Sequence, residues 1–319
     1  MLTLGHFGRG DVPHMLETKS LTVVRSPEMR KDRAMGRFTP PTPRSRRLGR
    51  ELRKLREGQN IKVEEAAKLL QCSPSRISRI ESGEIRARPG DIMELLLAYN
   101  APIDSEHGQS LVELARDLRE SGWWRRLGAL SSKYATFIAY EAEARELRHF
   151  EPNLVPGLLQ TEAYARAVIS VRDETWRTDD DTVAQLVDAR LTRQAVLHRS
   201  PVPLKMHTVL AETALRIEVG SPDMMREQLQ HLIHLSKLPN ITIQILRFGA
   251  GAHLATRGGF AVLNLERGDP PLGYTETMGG ELFLESPEEI KRLNAVYDHL
   301  RMLAMSPAES TKFLREQIE

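Results

Sequence analysis

The chain has 319 residues, 40% of them hydrophobic and 28% charged, with a formal net charge of +2. That length suits about two domains with ample material for a core, and the single cysteine, Cys72, excludes a disulfide framework and a cysteine-rich zinc site. No apolar run approaches the roughly 20 residues of a membrane span and the N-terminus has no apolar signal segment, so a cytoplasmic protein without a membrane partner is expected.

The near-neutral total hides two modules of opposite sign. Residues 44–90 hold 13 Lys/Arg against 6 Asp/Glu, a net of +7, and residues 1–43 hold 7 against 4. The remainder carries 25 basic and 33 acidic side chains, a net of −8. Residues 1–43 show no sustained period and contain Gly5, Gly8, Gly10, Pro40, Pro41 and Pro43. They read as a disordered or loose basic arm. Met29 and Met35 stand just upstream of the first basic helix as alternative starts of the natural product, and Arg30 to Arg47 as a stretch able to lie along DNA phosphates.

Arg44–Glu57 places Leu48, Leu52 and Leu55 at spacings of four and three, an amphipathic helix that Gly58 ends. Val63–Leu70 is a second short helix, whose small Ala66 and Ala67 allow a close crossing. Gln71-Cys72 is the tight turn that follows, and Cys72 reads as a small hydrophobe in it. Ser73 is a good N-cap and Pro74 suits the first helical position, so a third helix starts there. Ile77 and Ile80 give it one apolar stripe, Ser75, Arg76, Ser78 and Arg79 occupy the other face, and Gly83 stops it. Arginine can fork onto guanine edges or phosphate and serine can donate to either, so this is the pattern of a recognition helix. Helix, short turn, helix is the helix-turn-helix layout.

From Arg50 to Gly83 the sequence, through ELRKLRE, EEAAKLL and SPSRISRIESG, resembles the XRE family of lambda-repressor-like DNA-binding domains. It departs at two places. Gln71 stands where the turn often has Gly, so a positive φ is expected there at a cost of about 1 kcal/mol. Lys62-Val63 replaces the polar brace at the start of the second helix, so docking of the recognition helix relies more on packing. The resemblance implies that Arg56 and Glu81 form a structural pair fixing the angle between the helices.

Past Gly83, Glu84–Gly90 is a short loop with Arg86 and Arg88, and Asp91 caps a helix over Ile92–Tyr99 that Pro102 breaks. Ser105–Glu120 is a further helix with Leu111, Leu114, Ala115 and Leu118 on one face. That stripe reads equally as intrachain core or as a dimer interface. Trp123 and Trp124 follow, expected to be buried at a domain junction, with an exposed partner site as the alternative.

From Tyr134 the character changes. Phe137–Glu143 reads as helix and Ala144–Phe150 as either a strand or the helix continuing. Glu151–Thr161 (EPNLVPGLLQT) is a loop that opens a helix over Glu162–Val171, and Arg177–Asp181 is an acidic loop. Thr182–His198 is a long helix and Pro222–Leu238 a strongly periodic one, beside strand candidates at Leu204–Leu210 and Ile241–Leu246. Phe260–Leu265, Gly273–Thr277 and Glu281–Leu284 alternate between turn residues and predict an antiparallel meander. Ser286–Met305 is a capped helix and a last helix starts at Pro307. The fold class expected is a mainly α N-terminal helix-turn-helix domain plus an α+β C-terminal domain with a small, largely antiparallel sheet. The domains are a 1–43 arm, a 44–103 DNA-binding domain, a 104–133 linker helix and a 134–319 regulatory or partner-binding domain. There is no internal repeat.

Glu141–Ile169, with LPNITIQIL, GAGAH and ELFLESPEEI, resembles the C-terminal domain of uncharacterised function that follows an XRE domain in many actinobacterial regulators. The resemblance implies a transcriptional regulator encoded beside a small partner protein, an arrangement likened to antitoxin–toxin pairs.

Catalytic and cofactor patterns are weak. His231 and His234 have helical metal spacing but no neighbouring acidic ligand, and Asp179–Asp181 lacks the glycine and distal glutamate of a calcium loop. Gly249–Gly259 has no phosphate-loop frame. No catalytic residue, metal or cofactor is expected, and the chain is read as a DNA-binding regulator, not an enzyme. Ser75 and Arg79 are expected on base edges, and Ser73, Arg76, Arg86 and Arg88 on phosphates. Partners are double-stranded DNA and a second copy in a homodimer. The alternatives are an antitoxin-like module that sequesters a small protein, and an enzyme with an attached operator-binding domain.

Overall fold

The computed structural model describes residues 41–118, 131–176, 179–265, 269–277 and 279–318. The arm up to residue 40, and Trp123 and Trp124, lie outside the described residues. The first region is five helices: α1 (Pro43–Gly58), α2 (Val63–Leu69), α3 (Pro74–Glu81), α4 (Pro89–Ala98) and α5 (Glu106–Asp117). Their inward faces meet in one core of Leu48, Leu52, Ala66, Ala67, Ile77, Ile80, Ile92, Leu95, Leu96 and Tyr99. Leu111, Val112, Ala115 and Leu118 belong to the same core, with Leu114 packed at its edge. The stripe weighed as a dimer interface is therefore used inside the chain, and the described part of the 104–133 segment packs on the helical bundle.

The second region starts with α6 (Ser132–Glu143), which hands over directly to β1 (Ala144–Glu151). After the 3₁₀ turn Gly157–Leu159 come α7 (Glu162–Trp176) and α8 (Asp180–Arg193), then β2 (Lys205–Ala211), α9 (Thr213–Arg216), α10 (Pro222–Leu235) and β3 (Ile241–Leu246). The chain closes with β4 (Phe260–Leu265), β5 (Leu272–Thr277), β6 (Gly280–Leu284), α11 (Pro287–Leu303) and α12 (Pro307–Glu316). Asp179, read as part of an acidic loop, is the N-cap of α8, its carboxylate accepting from Thr182 N–H at 2.7 Å. Asp180 and Asp181 fill the first turn, where negative charge complements the helix dipole. The helix expected over Thr182–His198 gives way after Arg193 to a 3₁₀ segment, Gln194–Leu197.

The sheet corrects the expectation most. It has six strands in the order β3-β2-β1-β4-β5-β6, so it is not small, and it is mixed: three of its five pairings are antiparallel and two are parallel. β1 pairs in parallel with β2, and β2 with β3; β4, β5 and β6 add antiparallel strands on the other side of β1. The reason lies in the connections. β1, β2 and β3 are separated by helices, which return the chain to the same end of the sheet and make neighbouring strands parallel, whereas β4–β6 are joined by short turns. The meander expected over residues 260–284 is present as β4–β6, and the strand candidates at Leu204–Leu210 and Ile241–Leu246 are β2 and β3.

Strand alternation divides the sheet's residues between two cores. Leu147, Met206, Leu210, Ile243, Ala261 and Leu263 pack with Phe137, Tyr164, Leu229, Leu232 and Phe313 of α6, α7, α10 and α12. Phe150, Val209, Phe260 and Val262 pack on the other face with Ile290, Tyr297 and Leu300 of α11. The EPNLVPGLLQT loop after β1 is held by buried amides. Gln228, fully buried, accepts from Thr161 N–H at 2.8 Å and donates to the Leu159 carbonyl at 2.7 Å. No helix among the described residues is long and apolar enough to cross a membrane.

Candidate nucleic-acid interface

The exposed helix α3 is set by what lies beneath it. Ile77 and Ile80 are its two buried residues, and Ser73 caps it by accepting from Arg76 N–H at 3.3 Å. Gly49 on α1 lies under its C-terminal end: a Cβ there would stand 2.2 Å from the Glu81 carbonyl oxygen, so only glycine permits this approach of α1 to α3. With the inner face fixed, Ser73, Ser75, Ser78 and Arg79 are exposed and Arg76 is half-buried.

The two arginines of α3 have intrachain partners. Arg76 donates to Asp91 of α4 at 2.6 Å, and Arg79 Nε lies 3.3 Å from Glu84. Arg88, exposed, is the N-cap of α4, and its backbone N–H reaches the same Asp91 carboxylate at 3.4 Å. Arg86 donates to the Leu118 carbonyl at 2.6 Å, tying the loop to the end of α5. α3 thus gathers Ser73, Ser75, Arg76 and Arg79, Asp91 brings Arg88 beside Arg76, and Arg86 is drawn toward α5.

Behind this face, Arg56 and Glu81 meet in a two-pronged pair: Nε to Oε1 at 2.6 Å and Nη2 to Oε2 at 2.9 Å. Arg56 Nη1 also donates to the Ile61 carbonyl at 2.8 Å, joining the loop before α2 to the same contact. At the start of α2 the Lys62 N–H donates to Glu65 at 2.8 Å, so the first turn is capped from N3 although Val63 has no polar group.

Gln71 takes a φ of 47° in the turn between α2 and α3, with an exposed side chain. An L-residue in that region is strained by about 1 kcal/mol, which glycine escapes. Gln71→Gly should therefore stabilise the helical bundle by about 1 kcal/mol in chemical denaturation; a loss of stability would show that the turn needs the glutamine side chain.

The sequence reading missed what α1 does on its other side. Arg47 donates twice to Asp269, at 3.0 and 2.7 Å, and Arg50 reaches the second oxygen of the same carboxylate, whose side chain is only 3% exposed. Arg46 forks onto Glu285 just before α11, with one contact at 2.8 Å, and lies over the Tyr140 ring. Arg44 Nε lies 3.2 Å from Glu143 at the end of α6, and Arg47 lies 3.8 Å from it. Burial pushes the Glu143 carboxyl up to about 7 against the pull of these arginines. The basic excess of the first region is thus partly matched by carboxylates of the second. Opposite net charges of the two segments were the available signal, but they name no pairs.

Two family models match the chain. One, described as a helix-turn-helix domain, covers residues 47–108, and the other, described as a domain of unknown function (DUF5753), covers residues 134–316. No curated protein and no solved structure gives a significant match.

Proposed function

The chain belongs to the family defined by the DUF5753 domain, and from that premise we propose that it is a sequence-specific transcriptional regulator that reads DNA with α3 in the major groove. The observation that carries this reading is one helix with two buried isoleucines and an outer face of Ser73, Ser75, Arg76 and Arg79, inside a domain that matches helix-turn-helix proteins. Ser75 and Arg79 take the base edges. Ser73 and Arg76 hold phosphates, with Arg86 and Arg88 as further phosphate ligands from the following loop. The ion pairs of Arg76 with Asp91 and Arg79 with Glu84 do not oppose this. Both are partly exposed, and such pairs contribute only about 0–1 kcal/mol, so a phosphate or a guanine edge can replace the carboxylate.

One such domain covers few base pairs, so two copies on a pseudo-palindrome complete the operator. The second region serves dimerisation and the binding of an effector or partner. A monomer by light scattering, with operator present, would remove the dimer from this account.

The test begins with selection of the operator from random duplexes, then compares two variants on operator and random DNA across a salt series. Arg79→Ala should lose about 1–3 kcal/mol of discrimination, roughly 5- to 150-fold. Arg76→Ala should weaken both kinds of binding together and lower the salt slope by about 1. An Arg79→Ala protein with an unchanged specificity ratio would refute the assignment of the base-reading residue.

A further inference from the structure

Beside the contact between α1 and the second region lies a cleft of about 410 Å³, within the roughly 300–1,000 Å³ of small-molecule sites. Four guanidinium-bearing side chains line it, Arg44 and Arg47 from α1 and Arg145 and Arg199 from the second region, with only Asp117 and Glu143 as carboxylates. Arg47 is already taken up by Asp269, and the acidic side of the lining is weak as well. Asp117 lies 3.6 Å from Arg44 with both side chains about half exposed, a geometry that contributes little. Glu143, with its carboxyl pushed up by burial to about 7, is only partly ionised at neutral pH.

Arg199 adds charge without a matching anion among its hydrogen bonds. Its Nε donates to the Val202 carbonyl at 2.8 Å, and its two terminal nitrogens to the carbonyls of Ala142 and Ala144 at the end of α6. Those acceptors are neutral. Burial, followed by the neighbouring Arg145 charge, holds its pKa below the ordinary arginine value, as expected where cations crowd together.

We propose that this cleft binds a small phosphorylated metabolite, its phosphoryl oxygens held by Arg145 and Arg199 on one wall and Arg44 on the other. Arginine forks match phosphate geometry, and charge-assisted bonds of this kind are about twice as strong as neutral ones. A DNA backbone fits less well. Its continuous row of charges would run past Asp117 and Glu143 along its whole length, whereas a compact ligand only competes with them for Arg44. Occupancy would join α1 to the second region through a shared ligand, replacing Glu143 as the partner of Arg44. The site does not depend on the DNA-reading assignment of α3, since binding is measured without DNA.

Titration calorimetry on the full chain, with inorganic tripolyphosphate at constant ionic strength, should show saturable binding at one site per chain and a rise in Tm. Arg44→Gln and Arg145→Gln should each weaken it at least tenfold. Arg53→Gln, on α1 but outside the cleft and paired with Glu57, should leave it unchanged. Arg145→Lys, which keeps the charge, should restore part of the affinity and guards against a folding defect in the glutamine variant. The proposal is overturned by absence of saturable binding or by equal effects of all the variants, which would mean adsorption to a basic surface. Binding of citrate but not tripolyphosphate would overturn the phosphate class. Loss of affinity for random duplex in Arg145→Gln, without tripolyphosphate binding by the parent chain, would assign the surface to DNA instead.

Discussion

Glu81→Ala should destabilise the helical bundle by about 3–5 kcal/mol, a large part of the roughly 5–15 kcal/mol that holds a domain together. The reason is the charge left behind. The Arg56 side chain is 8% exposed and its partner 7%, so removal of the carboxylate strands a guanidinium where water reaches it poorly. The hydrogen bond that Arg56 donates to Glu81 is also what raises the Arg56 pKa above its ordinary value. Arg56→Ala should be costly as well, because it frees both Glu81 and the Ile61 carbonyl that Arg56 satisfies. With neither charge present, no ion is stranded, so the double change should cost less than the sum of the two. Chemical denaturation of the four proteins measures the difference directly. Additive losses would mean that the two side chains do not act as a unit. Since the pair joins α1 to the end of α3, the single variants should also bind DNA less tightly, without the selective loss of discrimination expected of Arg79→Ala.

The helical bundle was legible because its rules are local. Leucines at helical spacing, Ser73-Pro74 at a helix start and the isoleucine pair of α3 each fix an element within a dozen residues. The positive φ at Gln71 followed instead from the resemblance, which puts Gln71 where the turn often has glycine. β1 was not. Its sequence, ARELRHFE, is too charged to announce the central strand of a sheet, and both strand and helix stayed open for it. The charges are absorbed only by tertiary neighbours: Arg148 donates to Asn294 of α11 at 3.1 Å and lies over the Tyr297 ring, while Glu146 accepts from Asn264 of β4 at 3.1 Å. The parallel half of the sheet was missed because strand pairing is a non-local property, although helices between strands were a usable hint. In the candidate site, the exposed face of α3 followed from periodicity. The partners of its arginines, Asp91 and Glu84, did not. The contacts of Arg46 and Arg47, with partners more than 200 residues away, carry no local trace.

In the second region the corresponding experiment falls on Arg193, and Arg193→Ala should destabilise it by about 3–5 kcal/mol. Arg193 ends α8 and meets Glu141 of α6 in a two-pronged pair at 2.8 and 2.7 Å, with side chains only 6% and 2% exposed. Its guanidinium also lies 5.1 and 5.5 Å from the ring centres of Tyr134 and Phe137, and Phe137 stacks on Tyr274 of β5 at 4.2 Å. One side chain therefore joins α8 to α6 and, through Phe137, to the sheet. Arg193→Lys should recover little, because an ammonium cannot make the paired contact or stack flat on the rings. Replacing both partners by apolar residues of similar size, Arg193→Met with Glu141→Leu, should lose much less than either single change. A second readout separates charge from packing. Burial, with the Arg193 charge added to it, depresses His149 on β1 to about 4. Removing that charge by Arg193→Met should move the His149 titration upward in NMR. A His149 titration unchanged in a folded Arg193→Met protein would show that the arginine's charge does not reach the sheet, and a loss below 1 kcal/mol would show that Glu141 finds water or another partner once Arg193 is gone.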